Sequence, residues 1–239
     1  MAVLIGSARS DERGKATGGK AGDQKGGKEV STQNWYKHSK GWRVLRPKNP
    51  DKAAKMAECM REMCATNYVG YDQYQRNTLF DALKAVGWKL NLLKKNVETD
   101  CSALIRVCCA YAGITLPNFN TSTQATTMLT SGEFVELTGS KYTDQEDYLA
   151  VGDVLVTKTK GHTVMVLTDG PKHKQINVPT GPVVKKGSWN VRKGPGTGYD
   201  SLGTVHGGDR LVTVDSDGWQ AISWNGSIAY ISKNAIEEG

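Results

Sequence analysis

The chain lacks any long hydrophobic run, any secretion-type leader and any paired cysteine motif, and each absence closes off a class of protein. No apolar stretch in the 239 residues approaches the ~20 needed to cross a bilayer, so membrane insertion is not expected. The opening Met1-Ala2-Val3-Leu4-Ile5-Gly6 has no basic n-region, and it falls well below the ~7–15 apolar residues of a signal sequence. Synthesis and storage in a cytoplasm are therefore expected. No Cys-x-x-Cys pair occurs and the 4 histidines are scattered, so neither a zinc site nor another cofactor is expected. Five cysteines cannot all pair with one another, and reduced thiols in a reducing compartment fit that count. The chain is basic, with a net charge of +7 and a pI near 9.1. Zinc-finger, RNA-recognition and helix-turn-helix signatures are nevertheless missing, so nucleic acid is not the expected partner.

What is present describes a soluble globular protein, with 38% hydrophobic and 23% charged residues in a length that suits one medium domain and one small one. Residues 1–30 are rich in Gly and Lys and read as an irregular segment wrapped on the surface. Asn49 and Pro50 signal a helix start, and Ala53, Met56, Ala57, Met60 and Met63 continue it. A second helix is expected over Asp72–Val86, closed by Gly87. A third begins at Cys101 and ends near Gly113, and a short fourth, capped by Thr121 or Ser122, runs through Leu129. Phe134 to Leu167 is strand-like, with Val and Leu dominant. Helices first and sheet afterwards indicate an α+β domain over residues 1–170. Residues 171–186, with Pro171, Pro179, Gly181 and Pro182, read as a linker. Residues 187–239 carry short β-type runs punctuated by glycine, which implies a small all-β barrel. Within it Trp219 is expected in the core, and Tyr199 and Trp224 at the surface.

The chemistry centres on Glu98-Thr99-Asp100-Cys101-Ser102-Ala103-Leu104. Thr99 and Asp100 are good N-cap residues, and Leu104, Ile105, Cys108 and Cys109 recur at helical spacing. A thiol on the first turn meets unpaired backbone N–H groups and the positive end of the helix dipole, which favour the nucleophilic thiolate. Cys108 and Cys109 sit mid-helix among Val107, Ala110 and Ala112 and read as packing residues. Downstream, His162 opens the strand-like Gly161-His162-Thr163-Val164-Met165-Val166 and could serve as the base.

Asp-Cys-Ser-Ala-Leu resembles the nucleophile motif of the NlpC/P60 and CHAP group of papain-like peptidoglycan hydrolases. Val151-Gly152-Asp153-Val154-Leu155 followed by Gly161-His162-Thr163-Val164-Met165-Val166 is similar to that group's Gly-Asp strand and the Gly-His strand after it, which carries the base. The run Gly18-Gly19-Lys20-Ala21-Gly22-Asp23-Gln24, with Lys28-Glu29-Val30 and Trp35-Tyr36, resembles the opening of its phage endolysin subfamily. Trp189-Asn190-Val191-Arg192-Lys193-Gly194-Pro195-Gly196 with Gly218-Trp219 resembles a bacterial SH3 (SH3b) domain, with Ala229 where Gly commonly precedes the tyrosine.

The resemblance implies a papain-like cysteine amidohydrolase followed by a wall-binding SH3b barrel. Its substrate would be bacterial peptidoglycan, of a Gram-positive wall on the charge, cut as an N-acetylmuramoyl–L-alanine amidase or as an endopeptidase. It also implies a holin-type partner for release from the host cytoplasm. Cys101 and His162 would be nucleophile and base. Many relatives place a third polar residue about twelve positions beyond the histidine, where this chain has Lys174, with His173 and Asp169 as the nearby alternatives. Gln24 could instead supply an oxyanion donor, and Asp23 could orient the imidazole. The rival readings are a host autolysin of the same chemistry and a non-catalytic wall-binding module.

Overall fold

The N-terminal residues form an interior strand of the main sheet, where the sequence had suggested a surface wrap. The structure, a computed structural model, describes residues 2–173, 182–209, 211, 213–214, 219–224 and 227–237. It divides into two units, Met1–Lys174 and Gln175–Gly239. In the first, Leu4–Ala8 (β1), Val30–Asn34 (β2) and Trp42–Pro47 (β3) precede the helix Pro50–Ala65 (α1). Val69–Tyr71 (β4), Thr78–Ala85 (α2), Val97–Thr99 (β5) and Cys101–Tyr111 (α3) follow. Gln124–Thr130 (α4), Phe134–Leu137 (β6), Ser140–Thr143 (α5), Val154–Thr157 (β7) and Thr163–Val166 (β8) complete the unit.

Six strands form one antiparallel sheet in the order β2-β1-β8-β7-β3-β6, and β4 and β5 pair separately in parallel. Three of the six strands precede every helix, which the helices-then-sheet reading missed. The reason lies in β1. Its apolar start is followed by Gly6, Ser7 and Ala8, and a Cβ on Gly6 would stand 2.7 Å from the Met60 side chain. Small residues here let α1 press directly on the strand. The composition is mixed α and β, in keeping with an α+β domain.

Both faces of the sheet are covered, which explains why β7 and β8 read as unbroken apolar runs. Met56, Met60, Leu104, Ile105 and Cys108 pack one face against Ala8, Leu45, Val154, Val156 and Met165. Alternate residues of the same strands, Ile5, Val44, Leu155, Val164 and Val166, pack with Trp42 on the other. Each fully buried side chain of this size contributes about 1.5–3 kcal/mol. Gly152 turns the chain into β7 at φ +86, and a Cβ there would lie 2.7 Å from that of Ala53. Asp153 beside it is fully buried and takes a two-point grip from Arg46, at 2.8 and 2.7 Å. The Gly-Asp pair thus anchors the strand.

The helix α2 starts at Thr78, later than expected, because Asp72 organises a turn first. Its carboxylate accepts the N–H groups of Gly18, Tyr74 and Gln75, a local geometry that competes with helix. The helix α4 begins at Gln124 with Thr123 at the cap position. Residues 11–24 lie over β4 and β5, with Gly22 N–H donating to the Val97 carbonyl and Asp23 N–H to that of Asn67.

In the second unit, Val183–Val184 (β9), Ser188–Arg192 (β10), Ser201–His206 (β11), Thr213–Val214 (β12), Trp219–Trp224 (β13), Ser227–Ser232 (β14) and Ile236–Glu237 (β15) are the strands. They form a five-stranded sheet, β11-β10-β14-β13-β12, and a β15-β9 pair. β9 lies inside the stretch read as linker. Val184, Val191, Val205, Ile222, Ala229 and Ile231 make the core. Ala229 is fully buried there. Trp219 is half-buried, and Tyr199 is exposed with its ring laid over Gly194. The Trp224 side chain and residues Lys174, Pro179 and Gly181 lie outside the described residues. Among the described residues no helix is long and apolar enough to cross a membrane.

Candidate active site

Cys101 is the first residue of α3, and the helix start is fixed by a dense polar network. Asp100 caps it: one carboxylate oxygen accepts Ala103 N–H at 2.7 Å and the Ser102 hydroxyl at 2.9 Å. Arg76 reaches in from the turn before α2, placing Nε 2.6 Å from the other Asp100 oxygen. Its Nη2 donates to Asp100, to the Ser102 hydroxyl and to the Phe119 carbonyl. Both members of the ion pair are largely shielded from solvent. The helix start that carries the thiol is held by groups distributed over three segments of the chain.

The Cys101 sulfur lies close enough to Thr163, the residue directly after His162, to feel its backbone N–H. The fold therefore brings the two sequence motifs to one place. His162 stands at the entry to β8, where its own N–H donates to the Thr157 hydroxyl and its carbonyl accepts Thr157 N–H. Alternation along β8 sets His162 on the same face as Val164 and Val166, and hence as Tyr36 and Trp42. Tyr36 feels both Arg9 and the Cys101 thiol electrostatically. Tyr36, His38 and Trp42 form an aromatic group there, with His38 and Trp42 ring centres 5.0 Å apart.

Burial dominates the electrostatics of the pair. It pushes the Cys101 thiol up to about 12, assisted by the Asp100 charge, against the N–H groups of Thr163 and Ser102 and the charge of Arg76. It pushes His162 down to about 4, with His38 and Arg9 acting in the same direction. A helix start alone was expected to favour a thiolate; here desolvation outweighs the helix end. At neutral pH the resting pair is a thiol and a neutral imidazole.

Sequence reasoning missed Gln124. It is fully buried on the inward face of α4 and donates its amide to the Thr163 hydroxyl at 2.9 Å, while its carbonyl oxygen has no partner. A glutamine sharing the helical face of Ala125 and Met128 was the signal for it. Gln24 and Asp23 lie on the loop over β4 and β5. Gln24 is exposed and its amide donates to the Ala21 and Gly22 carbonyls, while Asp23 accepts Lys25 N–H. Neither of these bonds goes to Cys101 or His162. Asp169 accepts Val151 N–H and staples the turn before β7, and His173 N–H donates to the Gly170 carbonyl. Among the described residues no group of three or more His, Cys, Asp or Glu side chains is placed to hold a metal ion.

Fold and site together define a mixed α/β domain with a capped helix-start cysteine set against a histidine-bearing strand. A family model described as an endolysin-like domain matches residues 5–173, and the chain belongs to that family. Membership points to cell-wall lysis of the phage endolysin kind. No curated protein matches the chain.

Proposed function

We propose that the protein is a peptidoglycan amidohydrolase of the phage endolysin type, with a papain-like domain of NlpC/P60–CHAP character and an SH3b wall-binding unit over residues 187–239. One observation carries the chemistry: the Cys101 sulfur, at the capped start of α3, faces the backbone N–H next to His162.

With both partners neutral at rest, His162 takes the thiol proton as sulfur attacks the amide carbon. The oxyanion develops toward the helix start, where the Cys101 N–H has no acceptor within its own helix. The imidazolium returns its proton to the departing amine, leaving a thioester. Water, deprotonated by His162, then releases the acid and restores the thiol. Gln24 and Asp23 would contribute as oxyanion donor and orienting group only after leaving their contacts within the loop. The basic balance of the chain, +7, favours the polyanionic wall of a Gram-positive host.

Digestion of purified wall, followed by mass spectrometry of the released muropeptides, tests the reading and names the bond. New amine termini from wild type and none from folded Cys101→Ala are expected. Equal lysis by Cys101→Ala would sink the thiol mechanism. Sedimentation of the full chain with wall, retained in Cys101→Ala, reports the binding function separately.

A further inference from the structure

Next to His162 lies a cation that the mechanism does not use. β1 pairs antiparallel with β8 through Ile5↔Val166 and Gly6↔Met165, and that register continued sets Arg9 across from His162. Alternation from Ile5 puts the Arg9 side chain on the face that holds Tyr36 and, across the pair, His162. The electrostatics agree, since Arg9 acts on both His162 and Tyr36. The residue is half-buried, yet its Nε and Nη2 atoms are shielded from solvent and have no hydrogen-bond partner.

The carboxylates of the adjoining segments are engaged elsewhere, with Glu12 accepting the N–H of Lys20. Asp11 holds Arg13 and the N–H of Lys15, and Glu29 accepts the N–H groups of Gln24 and Tyr71. A guanidinium shielded without an acceptor is costly and needs a reason. Its planar fork matches a carboxylate.

We propose that Arg9 anchors a carboxylate of the substrate peptide beside the amide that Cys101 attacks. The inference rests on the hydrolase reading above and adds a substrate class to it: peptides with a free carboxylate close to the scissile bond. The same peptide with that carboxylate converted to a carboxamide would lose the charge-assisted bonds.

The test uses the full chain and two soluble stem peptides that differ only in that group. Wild type should prefer the free acid by about tenfold to a hundredfold in kcat/KM, the worth of a charge-assisted contact. Arg9→Met should abolish the preference, and it should do so by raising KM for the acid. Equal turnover of both peptides by wild type overturns the proposal, as does an equal slowing of both by Arg9→Met. Should Arg9→Met not fold, Arg9→Gln carries the same comparison without the charge.

A second readout is independent of hydrolysis. The rate ratio of iodoacetate to iodoacetamide at Cys101 should fall several-fold in the Arg9 variant. If neither peptide is cleaved the hydrolase reading fails, and an unchanged alkylation ratio then overturns the Arg9 anchor as well.

Discussion

Asp100→Ala should weaken the fold and sharpen the thiol at once. The carboxylate caps α3 through Ala103 N–H, accepts the Ser102 hydroxyl and neutralises Arg76. Loss of the cap costs about 1 kcal/mol. Leaving the largely buried Arg76 without its partner costs about 3–5 kcal/mol more. A total near 4–6 kcal/mol corresponds to roughly 8–24 °C in melting temperature for a unit of this size. The second arm is Arg76→Met combined with Asp100→Ala. Replacing a whole buried pair by apolar groups is often close to neutral, so the double variant should recover most of the loss. Asp100 raises the Cys101 thiol and Arg76 lowers it. The single variant should therefore react faster with iodoacetamide at a fixed pH, and the double variant should return toward wild type. Calorimetry and alkylation kinetics on the same preparations read both effects. A single variant melting within about 2 °C of wild type would refute the reasoning, as would a double variant no more stable than the single one.

Three further outcomes follow from the same geometry. With His162 held down to about 4 and Cys101 up to about 12, kcat/KM should rise through an acid limb near pH 4 and stay level across neutrality. A limb between pH 6 and 7 would instead mean an unshifted imidazole. Glu98 is buried with one oxygen lacking a partner, and burial with the charge of Asp72 pushes it up to about 7. Because the folded state holds that proton more tightly than the unfolded chain, stability falls as pH rises from the ordinary carboxylate range through about 7. Glu98→Gln should then gain on the order of 2 kcal/mol at pH 8 and almost nothing at pH 4, measured by urea unfolding; equal gains at both would contradict this. Gly70→Ala should loosen the loop over β4 and β5, since a Cβ there would run into the Gly22 carbonyl. A cost of about 1–3 kcal/mol is expected, visible as faster proteolysis within residues 11–24, and an unchanged digestion pattern would count against the close packing.

The parts of this molecule legible in its sequence are those whose signals are local. Asn49-Pro50 starts a helix because the Asn49 side chain accepts the N–H groups of Asp51 and Lys52, and Asp100 caps α3 in the same way. Cys108 and Cys109 are fully buried packing residues, as their mid-helix neighbours implied. What stayed hidden depends on partners far along the chain. Nothing near Leu4 announces that β1 will lie between β2 and β8, because the pairing is decided by a strand more than 150 residues away. The thiol and imidazole could be found by motif, but their protonation could not. Helix-end attraction is local, whereas the desolvation that overrides it comes from the whole fold closing over the strand end. Arg9 and Gln124 belong to the same class. Each is an ordinary polar residue until the sheet and α4 place it beside His162 or Thr163, and only then does its missing partner become meaningful. In this chain the candidate thiol and imidazole are legible from local sequence, while the polar groups that surround them are placed by long-range topology.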